Sequence, residues 1–116
     1  MTEKLTQKKC SACSGDSSPA SEEEIKQLKP QIPDWDLKNE NGELRLQRVY
    51  KFSDFKQALD FTNQIGEIAE QQGHHPTLLT EWGKVTVTWW THAINGLHEN
   101  DFIMAAKSDS IANTIE

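Results

Sequence analysis

Cysteine is scarce in this chain: Cys10 and Cys13 are the only two, forming a single C-x-x-C in a polar stretch near the N-terminus. A second ligand pair at finger-like spacing is missing, so a structural zinc site built by one chain is not expected. No strand-like segment precedes the pair, which speaks against a thioredoxin-type redox motif. The expectation is a reduced pair in a flexible leader, without a catalytic part. Positive charge is also short. Twelve Lys and Arg face eighteen Asp and Glu, a net charge of −6, which argues against direct nucleic-acid binding through a basic face. No apolar run approaches the ~18–20 residues a membrane span needs, and the N-terminus lacks a signal-peptide apolar region. These absences predict a cytoplasmic protein that does not engage membranes.

What is present suffices for one domain. A chain of 116 residues falls in the common single-domain range of ~100–150, and four Trp and four Phe bring large apolar areas to one core. Residues 1–20 hold almost no large apolar side chain and are expected to be a flexible polar leader, leaving 21–116 as the folded domain. Ser21-Glu22-Glu23-Glu24 predicts a capping box at the start of a short helix, ended by Pro30 and Pro33. Trp35 and Leu37 begin a strand, and Asn41-Gly42 is a type I′ hairpin signal. Leu44, Leu46, Tyr50 and Phe52 then recur at period two. Arg48 interrupts that pattern, which requires either a bulge or a paired arginine at a sheet rim.

Ser53 is a candidate cap for a second helix, whose stripe reads Phe55, Ala58, Leu59, Thr62, Ile65, Ile68 and Ala69. Gly73 and Pro76 stop it. Thr77–Glu81 and Lys84–Thr91 flank Trp82-Gly83 as a second hairpin. Val85, Val87 and Trp89 lie on one face of it, and Thr86, Thr88 and Trp90 on the other. A last helix runs from about Glu99 to Ile115. The order α-β-β-α-β-β-α predicts an α+β fold, a four-stranded antiparallel sheet with three helices packed on one face. Thr88 and Trp90, on the uncovered face, are positions a second subunit could cover.

The chemistry is concentrated around His74-His75-Pro76. Three of the four histidines lie between positions 74 and 92, with Glu70, Trp82 and Asp101 nearby. Imidazole exchanges protons near neutrality, with an unperturbed pKa of ~6.5. Glu70 and His74 are four apart and share a face if the last helical turn holds, so the carboxylate would fix the ring's tautomer. Pro76 forces His75 out of helical geometry. His92 at a strand end and Asp101 at a helix start could form a second carboxylate–histidine pair. An acid–base site, a metal site and a purely structural grouping all fit this spacing. The metal reading is weaker than the acid–base one, because there is no H-E-x-x-H helix and no cysteine in the cluster. Trp82 suits hairpin packing better than a ligand platform, and His98 has no assigned role.

The run Glu70-x-x-x-His74-His75-Pro76, continued by Trp82, His92 and Asp101, resembles the pterin-4a-carbinolamine dehydratases. Similarity extends from about Ser21 to the C-terminus through Trp35, Arg48-x-Tyr50-x-Phe52, Phe55, Ala58, Phe61, Thr91-His92 and Gly96-Leu97. One departure is His98, where family members often carry Ser or Thr, which predicts a weakened cap on the last helix. The resemblance implies an α+β fold and dehydration of a 4a-hydroxytetrahydropterin to the quinonoid dihydropterin, with no cofactor and no metal. It implies His74, His75 and His92 as catalytic residues, and Glu70, Pro76, Trp82 and Asp101 as orienting or substrate-binding ones. The implied partners are the pterin substrate, further copies of the chain in a homodimer or homotetramer, and a functional link to an aromatic amino-acid hydroxylase. The alternative it carries is a non-catalytic regulator or a binding protein of the transcriptional-coactivator type.

Overall fold

Ser21 starts the first helix as its sequence requires. In the computed structural model, which describes Leu5, residues 19–94 (the side chain of His92 excepted) and 96–115, helix α1 spans Glu22–Leu28. The Ser21 hydroxyl accepts from the Glu24 amide and Glu24 Oε1 accepts from the Ser21 amide, each at 3.2 Å. This satisfies two of the four amides a helix start leaves unpaired. A 3-10 turn at Lys29–Gln31, containing Pro30, closes the segment. Strand β1 is Asp36–Glu40; Trp35, expected to open it, instead turns its indole into the core. Asn41 (φ 55°) and Gly42 (φ 90°) both take positive φ, as a type I′ turn demands. The hairpin continues as β2, Glu43–Lys51.

Helix α2 spans Phe55–Gln72. Asp54 rather than Ser53 caps it, its Oδ1 accepting from the Gln57 amide at 2.9 Å. Gly73 ends it in the left-handed region at φ 65°. Strands β3 (Thr77–Glu81) and β4 (Lys84–Trp89) form the second hairpin, and α3 spans Glu99–Ala112, stopping before Ile115. The sheet order is β1-β2-β4-β3, antiparallel throughout. The fold is therefore the expected α+β arrangement, α-β-β-α-β-β-α.

One face of the sheet meets the helices. Leu46, Tyr50, Val85, Val87 and Trp89 pack there with Ala58, Phe61, Ile65 and Ala69 of α2 and Phe102 to Ala106 of α3. The buried line of α2 includes Phe61, which the expected stripe omitted, while Phe55 and Leu59 are exposed. The apolar residues 55 and 59 thus occupy a neighbouring line of the helix, rotated off the core. Leu5, within the stretch expected to be a leader, is 1 % exposed against this core, and its amide donates to Gln31 Oε1 at 3.1 Å. Cys10 and Cys13 lie outside the described residues. Among the described residues no helix is long and apolar enough to cross a membrane.

On the opposite face, the two residues that a second subunit could cover also have partners within the chain. The Arg45 guanidinium lies 4.1 Å from the Trp90 ring centroid, and Gln47 Nε2 donates to Thr88 Oγ1 at 3.1 Å.

Arg48 is paired, and no bulge is needed: β2 stays in register with β4 from Leu46↔Trp89 to Lys51↔Lys84. Its Nη1 donates to Asp109 Oδ1 at 2.6 Å, and Trp35 Nε1 donates to the same oxygen at 3.0 Å. The Tyr50 hydroxyl gives Asp109 a third hydrogen bond. Burial, reinforced by that bond and by the Asp109 charge, pushes the Tyr50 phenol far above its ordinary value, so it remains a donor. This cluster fastens the C-terminal half of α3 to β2. Asp109→Ala takes the shared acceptor from the buried Trp35 and Tyr50 and leaves Arg48 only the more distant Asp34 at 3.7 Å, and is expected to cost about 2–3 kcal/mol. Urea unfolding measures it, and a loss below ~0.5 kcal/mol, the range of ordinary surface substitutions, contradicts the assignment.

Candidate functional site

The site begins at the end of α2. Gly73 reverses the chain, and the His74 amide donates back to Ala69 O at 3.1 Å, a Schellman-type closure. Because the left-handed residue stands between them, His74 leaves the helix face that carries Glu70. The expected Glu70–His74 pair therefore does not form. A proline at 76 disfavours helical geometry at His75, and it is His75 that meets Glu70, Nε2 to Oε1 at 2.8 Å. Both side chains of that pair are largely exposed, where such contacts are worth about 0–1 kcal/mol.

His74 turns inward and pairs with Asp101, Nε2 to Oδ1 at 2.6 Å. The Asp101 side chain is 0 % exposed and that of His74 11 %. Three groups converge on this one carboxylate. Besides His74, the Thr91 hydroxyl donates to Oδ2 at 2.8 Å, and the His98 amide donates to the same oxygen at 2.9 Å. An ionised carboxylate only accepts, so His74 presents Nε2–H to it and Nδ1 becomes the ring atom available for chemistry. The imidazole also stacks on Trp89, with ring centroids 5.6 Å apart and planes 10° apart. Hydrogen bond and stacking together fix the ring's plane and its tautomer.

His98 is the N-cap of α3. Its Nδ1 accepts from the Asn100 amide at 3.0 Å, and with Asp101 it completes a capping box. The weakened cap expected from a histidine at this position is thus a formed one. Asp101 has two duties, closing the box and holding His74.

Asp101 pairs with His74; the expected His92–Asp101 pair involves a side chain outside the described atoms. The backbone of His92 opens a 3-10 turn, His92–Ile94, directly after Thr91. Trp82 is 73 % exposed at the tip of the second hairpin. Five residues of β3 at ~3.3 Å each separate that tip from the histidines, so Trp82 forms no wall beside His74. Pro76 acts through the backbone, in a trans peptide. The structure therefore brings together His74 and Asp101, sets Glu70 and His75 on the adjoining surface, and leaves Trp82 distant. Thr91, Trp89 and His98 are the contributors that spacing did not reveal. Only His98-x-x-Asp101 carried a readable signal, a capping box with imidazole in place of a hydroxyl. Among the described residues no group of three or more His, Cys, Asp or Glu side chains could hold a metal ion.

Comparison with known proteins identifies the family and supports the fold. A family profile described as pterin 4 alpha carbinolamine dehydratase matches residues 18–111. The crystal structure of a transcriptional coactivator/pterin dehydratase from Brucella melitensis is similar at 33% identity and a TM-score of 0.73, covering 82% of this chain and 99% of that one. A pterin dehydratase-like protein identified as a RuBisCO assembly factor in the alpha-carboxysome shares the fold, with 21% identity and a TM-score of 0.59, covering 68% of this chain and 89% of that one. With most of its length matched, and with the His-His-Pro run and Asp101 at its site, the chain belongs to the pterin 4 alpha carbinolamine dehydratase family.

Proposed function

We propose that this protein is a hydro-lyase that removes water from a 4a-hydroxytetrahydropterin, giving the quinonoid dihydropterin by histidine acid–base catalysis. The observation that supports it is the buried Asp101–His74 pair, which commits Nε2 to the carboxylate and frees Nδ1 for proton transfer. In the elimination the carbinolamine C–O bond breaks and the departing hydroxyl takes up a proton to leave as water. The ring N–H loses its proton to a base, and its electron pair forms the C=N bond. Atoms and charge balance without a redox partner. One tuned acid and one base supply roughly 10²–10⁴-fold each. We assign His74 Nδ1 and His92 to the hydroxyl, and His75 to the ring nitrogens at the mouth of the site. Glu70 orients His75, Asp101 orients His74, and Pro76 keeps the two rings apart. The protein works as a cytoplasmic homodimer or homotetramer beside an aromatic amino-acid hydroxylase that releases the carbinolamine.

A second reading is a binding protein or regulator without catalysis. It is favoured by Val49 and Leu79, which stand exposed on the open face of the sheet, and by the coactivator naming of the Brucella relative. Absorbance separates the two. Chemically generated carbinolamine should decay faster with catalytic amounts of protein, and decay at the background rate would leave only the binding reading.

His74→Ala is expected to reduce kcat at least about tenfold, and up to the ~10²–10⁴-fold an acid–base group contributes, while the protein stays folded; unchanged turnover would remove His74 from the mechanism. Asp101→Asn keeps a hydrogen bond but can present an N–H to the ring, favouring the other tautomer. A fall in kcat of about 10²-fold or more is expected from that change. Glu70→Gln, at an exposed pair, should alter stability by less than ~1 kcal/mol, which thermal unfolding can check.

A further inference from the structure

His98 takes no part in the mechanism above, yet the whole cap of α3 passes through it. The usual N-cap residues offer an oxygen that accepts a hydrogen bond at any pH near neutrality. Imidazole accepts only through an unprotonated nitrogen. Here that atom is Nδ1, taking the Asn100 amide at 3.0 Å, so the ring must be neutral with its proton on Nε2. Protonation would turn Nδ1 into a donor facing a donor. It would also place a cation at the positive end of the helix.

Among the described residues, the charged and titratable groups at the ends of the elements meeting at this cap are Glu99 and Asp101 of α3, His74 of the α2–β3 link, and Glu22, Glu23 and Glu24 of α1, whose leading segment donates from the Ala20 amide to Leu97 O at 2.6 Å. Asp101 already accepts hydrogen bonds from the His98 amide, Thr91 and His74; the conflict of a protonated Nδ1 facing the Asn100 N–H stands apart from these charges. Loss of the cap would free the first turn of α3, and that turn carries the carboxylate fixing His74.

We propose that His98 is a positioning residue for His74, acting through Asp101, and that it acts only with its ring neutral, so the site loosens when that ring gains a proton. The kinetic consequence rests on the dehydratase reading; the structural one does not.

The test compares the full chain with His98→Ser, whose hydroxyl caps independently of pH, and His98→Ala, which has no acceptor. The thermal-midpoint advantage of the Ser variant over wild type should widen by about 3–6 °C between ~pH 8 and ~pH 5.5, the shift expected from losing one cap. At ~pH 8, ring ¹⁵N shifts should show His74 as the Nε2–H tautomer in wild type and the Ser variant, and as a mixture in the Ala variant. The ratio of Ser-variant to wild-type kcat should rise at least about threefold over the same pH interval, with KM little changed. A constant midpoint difference overturns the dependence on a neutral ring. An unaltered His74 tautomer in the Ala variant overturns the positioning role. Should wild type show no dehydration at any pH, the dehydratase reading fails, while the midpoint and tautomer results still decide the role of His98.

Discussion

A single buried carboxylate holds this site together. Asp101 is withdrawn from solvent, and such a charge is tolerated only when its lone pairs are taken up. The donors come from three places: His74 after α2, Thr91 after β4, and the His98 amide before α3. Satisfying one charge therefore fixes the relative positions of three chain segments. The imidazole is oriented as a by-product of that demand. Burial makes the arrangement costly to leave half-made, and this is why it is well defined in a small protein.

Helix α3 is pinned by carboxylates towards both ends. Asp101 secures its first turn, and eight residues on, Asp109 collects Trp35, Arg48 and Tyr50. At ~1.5 Å per residue the two anchors stand about 12 Å apart. Between them the helix is buried on nearly every side from Phe102 to Ala106, packed against the sheet and α2. The first anchor holds the His74 ring and the second attaches the helix to β2.

Much of the architecture was legible because it follows from local rules. Ser21 and Glu24 form their capping box, Asn41-Gly42 makes its turn, Gly73 stops α2, and the order of elements gives the sheet. Four of the expected site residues do meet in pairs, His74 with Asp101 and His75 with Glu70, but the pairing was misread. Spacing on a helix put Glu70 with His74, but one left-handed residue at Gly73 rotates the chain so that His75 takes Glu70 and His74 turns inward. Trp82, close to the histidines in the family pattern, sits at the far end of a hairpin. Phe61 was hidden among competing apolar residues on α2, since Phe55 and Leu59 fit a stripe nearly as well.

The sequence by itself determined which segments are helix and strand, where the turns fall, and that histidines and carboxylates accompany one another. Those features depend on backbone sterics and on hydrogen bonds between near neighbours, which composition and spacing encode. Only the tertiary structure decided that His74 belongs to Asp101, twenty-seven residues away, and that His98 completes the cap beneath them. The reason is physical: a buried carboxylate takes whichever donors packing brings within reach, and packing is settled by the whole core rather than by distance along the chain.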